Sequence, residues 1–235
     1  KAANLMREAN DELARLEVRD VGKVFNEAVS GDVPSGTDAF DYFAACITAQ
    51  NGDFYKWDKA IGYSVRIPLG VCAGIGAWNY PMQIACWKSA PALAAGNSFI
   101  LKPSEETPLV AQKVAELLQT AGLPDGLFQI IHGDRDIGAA ICAHPGIAKI
   151  SLTGGVETGR LVMAQSAHSL KKITLELGGK SPLLVFDDCD FNLGVQTALD
   201  ANFYTAGEVC SNATRVFVQR SIADNFIAAL IAKAE

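Results

Sequence analysis

From residue 61 onward the apolar and polar positions fall into alternating short runs and helical periods. An extended stretch at 61–68 leads to an apolar strand at 70–77, and a helix opens at Pro81. The unit then repeats. Residues 97–102 read as a strand, and Thr107 with Pro108 supplies a cap and a first-turn proline for a helix over 109–121 that stops at Gly122. Its apolar positions Val110, Val114, Leu117 and Leu118 recur at helical spacing. Strand 127–132, helix 136–143, strand 148–153, helix 157–166 and strand 173–177 complete the series. After Gly178 and Gly179 come strand 181–186, helix 192–204, strand 215–219 and helix 222–234.

Strands alternating with helices of this length predict an α/β fold, because each crossover helix returns the chain to begin another parallel strand. The expected architecture is a Rossmann-like, doubly wound parallel sheet over 69–178, preceded by a helical part at 1–60 and an exposed ribbon at 61–68. A second α/β domain is expected to begin at 179–235, with only its first part in this sequence. Tyr63, Val65 and Ile67 alternate with polar positions beside Lys59 and Arg66, which suits an oligomerisation arm or an ordinary edge strand. The first residues read as helix interior with no cap ahead of them, so the chain is expected to be part of a longer protein.

Composition narrows the class. A chain of 235 residues that is 49% hydrophobic can bury a sizeable core. Its net charge of −6, without clustered Lys and Arg, argues against a nucleic-acid partner, and its apolar runs are too short to span a membrane. The six cysteines form no CxxC pair and the three histidines are scattered, so no metal site is expected. Reduced thiols fit a cytoplasmic protein.

Three residues stand out chemically. Cys210 follows a helix and a glycine turn and precedes a strand, a setting for a nucleophile as well as for a small buried hydrophobe. Glu176 ends an apolar strand, where a carboxylate would be costly to desolvate and tends to be a poised acid or base. Asn79 lies in a turn just before a proline-started helix, where an amide serves either as a cap or as a donor to substrate.

The segments around these residues resemble the aldehyde dehydrogenase family. The Trp78-Asn79-Tyr80-Pro81 stretch, the Lys102-Pro103-Ser104-Glu105 stretch, the run from Glu176 through Gly178 to Pro182 and the loop from Gly207 to Cys210 stand in the family's order, and the resemblance spans essentially the whole chain. It implies that Cys210 attacks the aldehyde as a thiolate, that Asn79 and the Cys210 N–H form an oxyanion hole, and that Glu176 activates water against the resulting thioester. Lys88 matches a lysine that steers charge near that site, or is a solvated helix lysine. The resemblance implies NAD as cofactor, bound by Gly76, Ala77, Trp78, Lys102, Pro103, Ser104, Glu105, Gly154, Gly155, Val156, Glu157 and Gly178. Glu105 would accept from the adenosine ribose hydroxyls and repel a 2′-phosphate, favouring NAD over NADP. A homodimer or homotetramer is implied for the full-length protein.

Tyr80, Trp87 and Tyr204 match the aromatic positions with which betaine aldehyde and 4-trimethylaminobutyraldehyde dehydrogenases hold an ammonium group. They predict an aldehyde substrate with an ammonium group, betaine aldehyde first; ordinary core packing is the other reading. An aminoaldehyde, a semialdehyde, transfer of the acyl group to coenzyme A, and an inactive binding protein are the remaining alternatives, Glu176 arguing against acyl transfer. The chain departs from the family in having Gly155 for Ser, Glu208 for Gln and Ala213 for Gly. The first removes a phosphate hydrogen bond and the second sets a negative charge near the thiol.

Overall fold

The computed structural model describes residues 1–235 and divides into two compact units, Lys1–Glu176 and Leu177–Glu235. The first is built on a five-stranded sheet. Its strands are β3 (Val71–Ile75), β4 (Ser98–Lys102), β5 (Phe128–Ile130), β6 (Ile147–Gly154) and β7 (Lys172–Leu177), in the order β5-β4-β3-β6-β7. β3 runs parallel to β4 and β6, and β4 parallel to β5. The chain therefore builds outward from β3 in one direction, then returns to build on its other side, which makes the β3/β6 boundary a topological switch point.

Right-handed crossovers carry helices to opposite faces when the direction of growth reverses. Helices Pro81–Ala94 and Leu109–Thr120 place Ala85 and Ala111 against Cys72, Phe99 and Leu101 of the sheet. Helices Arg135–Ala143 and Val156–Ser166 follow the growth in the other direction and pack near β6. An outer layer of N-terminal helices, Ala2–Glu8, Asn10–Val21 and Val33–Cys46, buries Met6, Leu13, Ala14 and Val33 against Met82, Cys86, Val110 and Val114.

Two local expectations change. The stretch 1–60 is helical only as far as residue 49, beyond which Phe54–Trp57 (β1) pairs antiparallel with Ala60–Tyr63 (β2) through a two-residue turn. The exposed ribbon thus starts earlier than residue 61 and carries Phe54, Tyr55, Trp57, Ile61 and Tyr63 in solvent. Its adjacent aromatics break the alternation that marks a half-buried strand. Thr107 is not the cap of helix Leu109–Thr120: its hydroxyl donates to the Trp78 carbonyl at 2.9 Å, and Pro108 stands at the cap position instead of the first turn. The helix N–H groups of Leu109 and Val110 donate to Asp20, far away in sequence.

The second unit holds a two-stranded parallel sheet of β8 (Pro182–Val185) and β9 (Arg215–Val218). Helices Phe191–Phe203 and Ala223–Ala234 bury Val195, Ala198 and Phe226 with Val185. Asp190 caps the first of them by accepting from Leu193 N–H at 3.0 Å. No helix of the protein is long and apolar enough to cross a membrane.

Candidate active site

The carboxyl ends of β3, β4 and β6 gather most of the predicted cofactor residues in one row. Ile75 stands beside Lys102 and Leu152 in the ladder, and Gly76 N–H extends it by donating to the Lys102 carbonyl at 2.9 Å. Gly76, Ala77 and Trp78 therefore lie next to Lys102, Pro103, Ser104 and Glu105 on one side and Gly154 and Gly155 on the other. Thr107 fastens the β4 loop to the β3 loop through its bond to Trp78. The Lys102 ammonium, buried at the strand end, donates to the Pro103 carbonyl and to Glu105 at 3.0 Å. Glu105 is itself half exposed, and its own backbone N–H together with Lys102 holds its carboxyl below the ordinary value.

Helix Val156–Ser166 starts directly after β6 with Gly155 as its cap residue and no side-chain cap. Its first-turn N–H groups have no partner within the helix, by the geometry of any helix start. Glu157 is committed to an ion pair with Arg160 at 2.7 Å. Gly178 follows β7 directly, at the start of the second unit.

Asn79 and Tyr80 form the turn between β3 and helix Pro81–Ala94, and a buried ionic cluster stands behind it. Lys23 donates to Glu17 at 3.0 Å and to Asp32 at 2.6 Å, all three side chains being out of solvent. The same ammonium lies 3.5 Å from the centroid of the Tyr80 ring. Glu17 also accepts from Met82 N–H at 3.1 Å, capping the helix that the turn feeds. Two carboxylates share one ammonium there, and burial pushes Glu17 up to about 7 and raises Asp32 as well. Trp87, two helical turns beyond Tyr80, is half exposed, and its indole N–H donates to the Ser35 carbonyl at 3.3 Å.

Lys88 is buried, not solvated, with its ammonium on the Ser151 hydroxyl at 2.9 Å. Burial lowers it to about 8, although the charge of Glu176 works in the other direction. The structure thus brings Lys88 into the electrostatic range of Glu176. Glu176 itself is exposed on β7, whose Lys172, Thr174 and Glu176 face solvent while Ile173, Leu175 and Leu177 are half buried. The expected desolvation of this carboxylate is absent from the chain, and strand alternation alone accounts for where it points.

Cys210 is exposed, in the loop between helix Phe191–Phe203 and β9. Its carbonyl accepts from Gly179 N–H at 3.2 Å, which ties the two loops of the second unit together. Tyr204 is exposed just after the helix end. The residues that sequence reasoning missed are the buried Glu17, Lys23 and Asp32 behind Tyr80, and Asn212 beneath the nucleophile loop. The only sequence signal for the first group is a set of charged positions inside an otherwise amphipathic N-terminal helical layer.

The model of the aldehyde dehydrogenase family matches residues 1–235. Betaine aldehyde dehydrogenases of Rhizobium etli (strain CIAT 652) and Sinorhizobium fredii (strain NBRC 101917 / NGR234) are each 55% identical over 236 residues, covering 100% of this chain and 48% of the relative. Among solved structures, betaine aldehyde dehydrogenase from Staphylococcus aureus in complex with NAD+ superposes with a TM-score of 0.95 at 40% identity, covering 99% of this chain and 46% of that one. Gamma-glutamyl-gamma-aminobutyraldehyde dehydrogenase from Burkholderia cenocepacia J2315 does so with a TM-score of 0.95 at 43% identity, over 100% of this chain and 48% of that one. The chain spans about half the length of the curated relatives it matches.

Proposed function

Because this chain belongs to the aldehyde dehydrogenase family, we propose that it carries the cofactor-binding unit and the nucleophile loop of an enzyme that oxidises an aldehyde to a carboxylic acid with NAD. Betaine aldehyde is the proposed substrate. The observation that carries this reading is the row of loops at the carboxyl ends of β3, β4 and β6, where an amide-bearing turn, a carboxylate held by a lysine and an uncapped helix start adjoin one switch point.

The residues present fit the dinucleotide. A Cβ built on Gly155 meets nothing within 4 Å, so the glycine opens the start of helix Val156–Ser166 to a diphosphate. Gly76, Trp78, Lys102 and Ser104 would border the adenosine half, and the Glu105 carboxylate would accept from ribose hydroxyls. The chemistry that NAD supplies when bound is acceptance of a hydride, which turns a thiohemiacetal into a thioester.

In the proposed mechanism the Cys210 thiolate forms a C–S bond to the aldehyde carbon, and the carbonyl π pair moves onto oxygen. The side-chain amide of Asn79 and the Cys210 N–H donate to that oxyanion, each donor being worth about 3 kcal/mol of barrier. Glu176 then takes a proton from water, which attacks the thioester carbonyl and releases the Cys210 thiolate and the carboxylic acid. Lys88, whose buried ammonium lies within the field of that carboxylate, favours its ionised form, the form that accepts the proton from water.

An ammonium-bearing substrate is supported by Tyr80, which already receives the Lys23 ammonium on one ring face. A substrate cation would meet the opposite face, with Trp87 two turns along the same helix and Tyr204 as the further aromatic wall. The exposed ribbon around β1 and β2 is the surface on which copies of the full-length protein would associate. The function is tested by following NADH formation in the full-length protein, comparing betaine aldehyde with a neutral aldehyde of equal length. A higher kcat/KM for betaine aldehyde is expected, and equal values would remove the ammonium-binding role. Loss of all turnover in Cys210→Ser is expected of the nucleophile.

A further inference from the structure

Immediately before Cys210 the backbone does something that side chains resist. Thr205, Ala206 and Gly207 all lie in the left-handed region, with φ of 51°, 53° and 82°. Glycine takes this conformation freely, and here a side chain would also be crowded, since a Cβ on Gly207 would come within 3.1 Å of the Asn202 carbonyl. Thr205, β-branched and fully buried, and Ala206 hold it at a steric cost. Such a run persists only where its surroundings over-determine it.

The surroundings converge on Asn212. Its side chain is buried, and its amide nitrogen donates to the Gly207 carbonyl at 3.0 Å and to the Asn202 carbonyl at 3.3 Å, the first at the last residue of the run and the second ahead of it. Asn202 belongs to the last turn of helix Phe191–Phe203, whose final carbonyls have no helical partners of their own. Ala213 N–H donates to Ala201 in the same turn at 3.1 Å, and Glu208 N–H closes the run onto Thr205 at 2.9 Å. The loop that bears Cys210 is therefore closed over the helix end by the residue two positions beyond the cysteine.

We propose that Asn212 is a positioning residue: its side-chain amide holds the left-handed run shut and so fixes the backbone from which Cys210 is presented. This deepens the proposed function and rests on its assignment of Cys210 as nucleophile. The amide makes no contact with the reacting atoms in this account. It acts through the carbonyls of Asn202 and Gly207.

The test uses Asn212→Ala, the near-isosteric Asn212→Asp, which removes the N–H donors, and Ala206→Gly, which removes the steric cost of one left-handed residue. In the full-length protein Asn212→Ala and Asn212→Asp are expected to lower kcat by about 10-fold or more with KM for NAD unchanged, the scale on which a misplaced reacting group costs rate. Ala206→Gly alone is expected to stay within about twofold, and combined with Asn212→Ala it is expected to recover part of the lost kcat, because glycine holds the left-handed turn unaided. In this chain itself, Asn212→Ala is expected to speed amide exchange at Glu208 and Ala213 by about 10-fold or more while Phe226 in helix Ala223–Ala234 keeps its protection. Unchanged exchange at Glu208 and Ala213, or a kcat loss that Ala206→Gly does not relieve, would overturn the proposal. Full activity in Cys210→Ala would instead remove the nucleophile assignment, a separate failure.

Discussion

Glu17 and Asp20, one helical turn apart on helix Asn10–Val21, cap two different helices. Glu17 accepts from Met82 N–H at the start of Pro81–Ala94, and Asp20 accepts from Leu109 and Val110 N–H, at 2.8 and 3.3 Å, at the start of Leu109–Thr120. A spacing of three residues puts both carboxylates on one face, so a single N-terminal helix satisfies the donors of two crossover helices. Asp20→Ala is expected to cost about 1 kcal/mol, the ordinary worth of a cap. Urea unfolding would show it as a lower midpoint with an unchanged slope, and an unchanged midpoint would mean that water replaces the carboxylate without loss.

The Glu17–Lys23–Asp32 cluster gives stability a pH dependence of unusual sign for a carboxylate. Burial raises Glu17 from 4.5 to about 7, so the folded protein holds its proton more tightly than the unfolded chain does. The associated stabilisation is complete below 4.5 and is lost as pH rises through about 7. Lys23 and the Met82 N–H oppose the shift, but two buried carboxylates against one ammonium leave a net negative charge in the interior. Thermal midpoints are expected to fall between those pH values, and Glu17→Gln to flatten the fall. A midpoint that rises over the same window in the wild type would contradict the assignment.

Lys23→Met tests the same cluster from its cationic side. Removing the ammonium strands two buried carboxylates and exposes the Tyr80 ring face it covered, which is expected to cost about 3–5 kcal/mol, the usual penalty for breaking a buried pair. A loss below about 1 kcal/mol in chemical denaturation would mean that protons replace the lysine readily.

Most of the sheet was legible because strands and crossover helices announce themselves locally. The apolar run ending at Ile75 and the helical spacing of Val110, Val114 and Leu118 are enough to place β3 and helix Leu109–Thr120. What the sequence hid is which distant group satisfies each terminus. Nothing near Leu109 names Asp20, and the adjacent Thr107 offers a more obvious cap that turns out to hold Trp78. The hairpin was half legible: Ile61 and Tyr63 read as extended, but Phe54, Tyr55 and Trp57 do not alternate because both faces of β1 are in solvent. In the candidate site, Asn79, Cys210 and Glu105 stand out through the resemblance of their segments to the family, because a turn amide, a lone cysteine and a loop carboxylate each have an ordinary structural reading as well. Lys88 was ambiguous because helix periodicity does not report the Ser151 hydroxyl that receives it.

Lys88 predicts a second pH effect, in the opposite direction from Glu17. Burial lowers its ammonium from 10.5 to about 8, so the folded state releases that proton before the unfolded chain does. Its favourable contribution is present above 10.5 and is lost as pH falls through about 8. In the rate profile of the full-length protein, the same titration removes a positive charge from the field of Glu176 above about 8. Lys88→Met is expected to abolish the inflection near that pH, whereas an inflection that survives the substitution would belong to another group.

Gly155→Ser introduces the residue that the resemblance to the family leads one to expect at this loop, and the structure has room for it. The glycine lies at φ −74°, ψ 156°, an ordinary extended conformation, and a Cβ there meets nothing within 4 Å. Serine therefore adds a hydroxyl beside the uncapped start of helix Val156–Ser166 without backbone strain. If a diphosphate binds there, one hydrogen bond to a charged oxygen is worth about 1.5–3 kcal/mol, so NAD is expected to bind roughly ten times more tightly or better. The thermal midpoint without cofactor should rise slightly at most, because serine is also a good cap. Titration of the variant with NAD checks both points: tighter binding with little change in the midpoint supports a phosphate at this helix start. Equal affinity with a raised midpoint would make the serine a cap alone and send the phosphates elsewhere along the row.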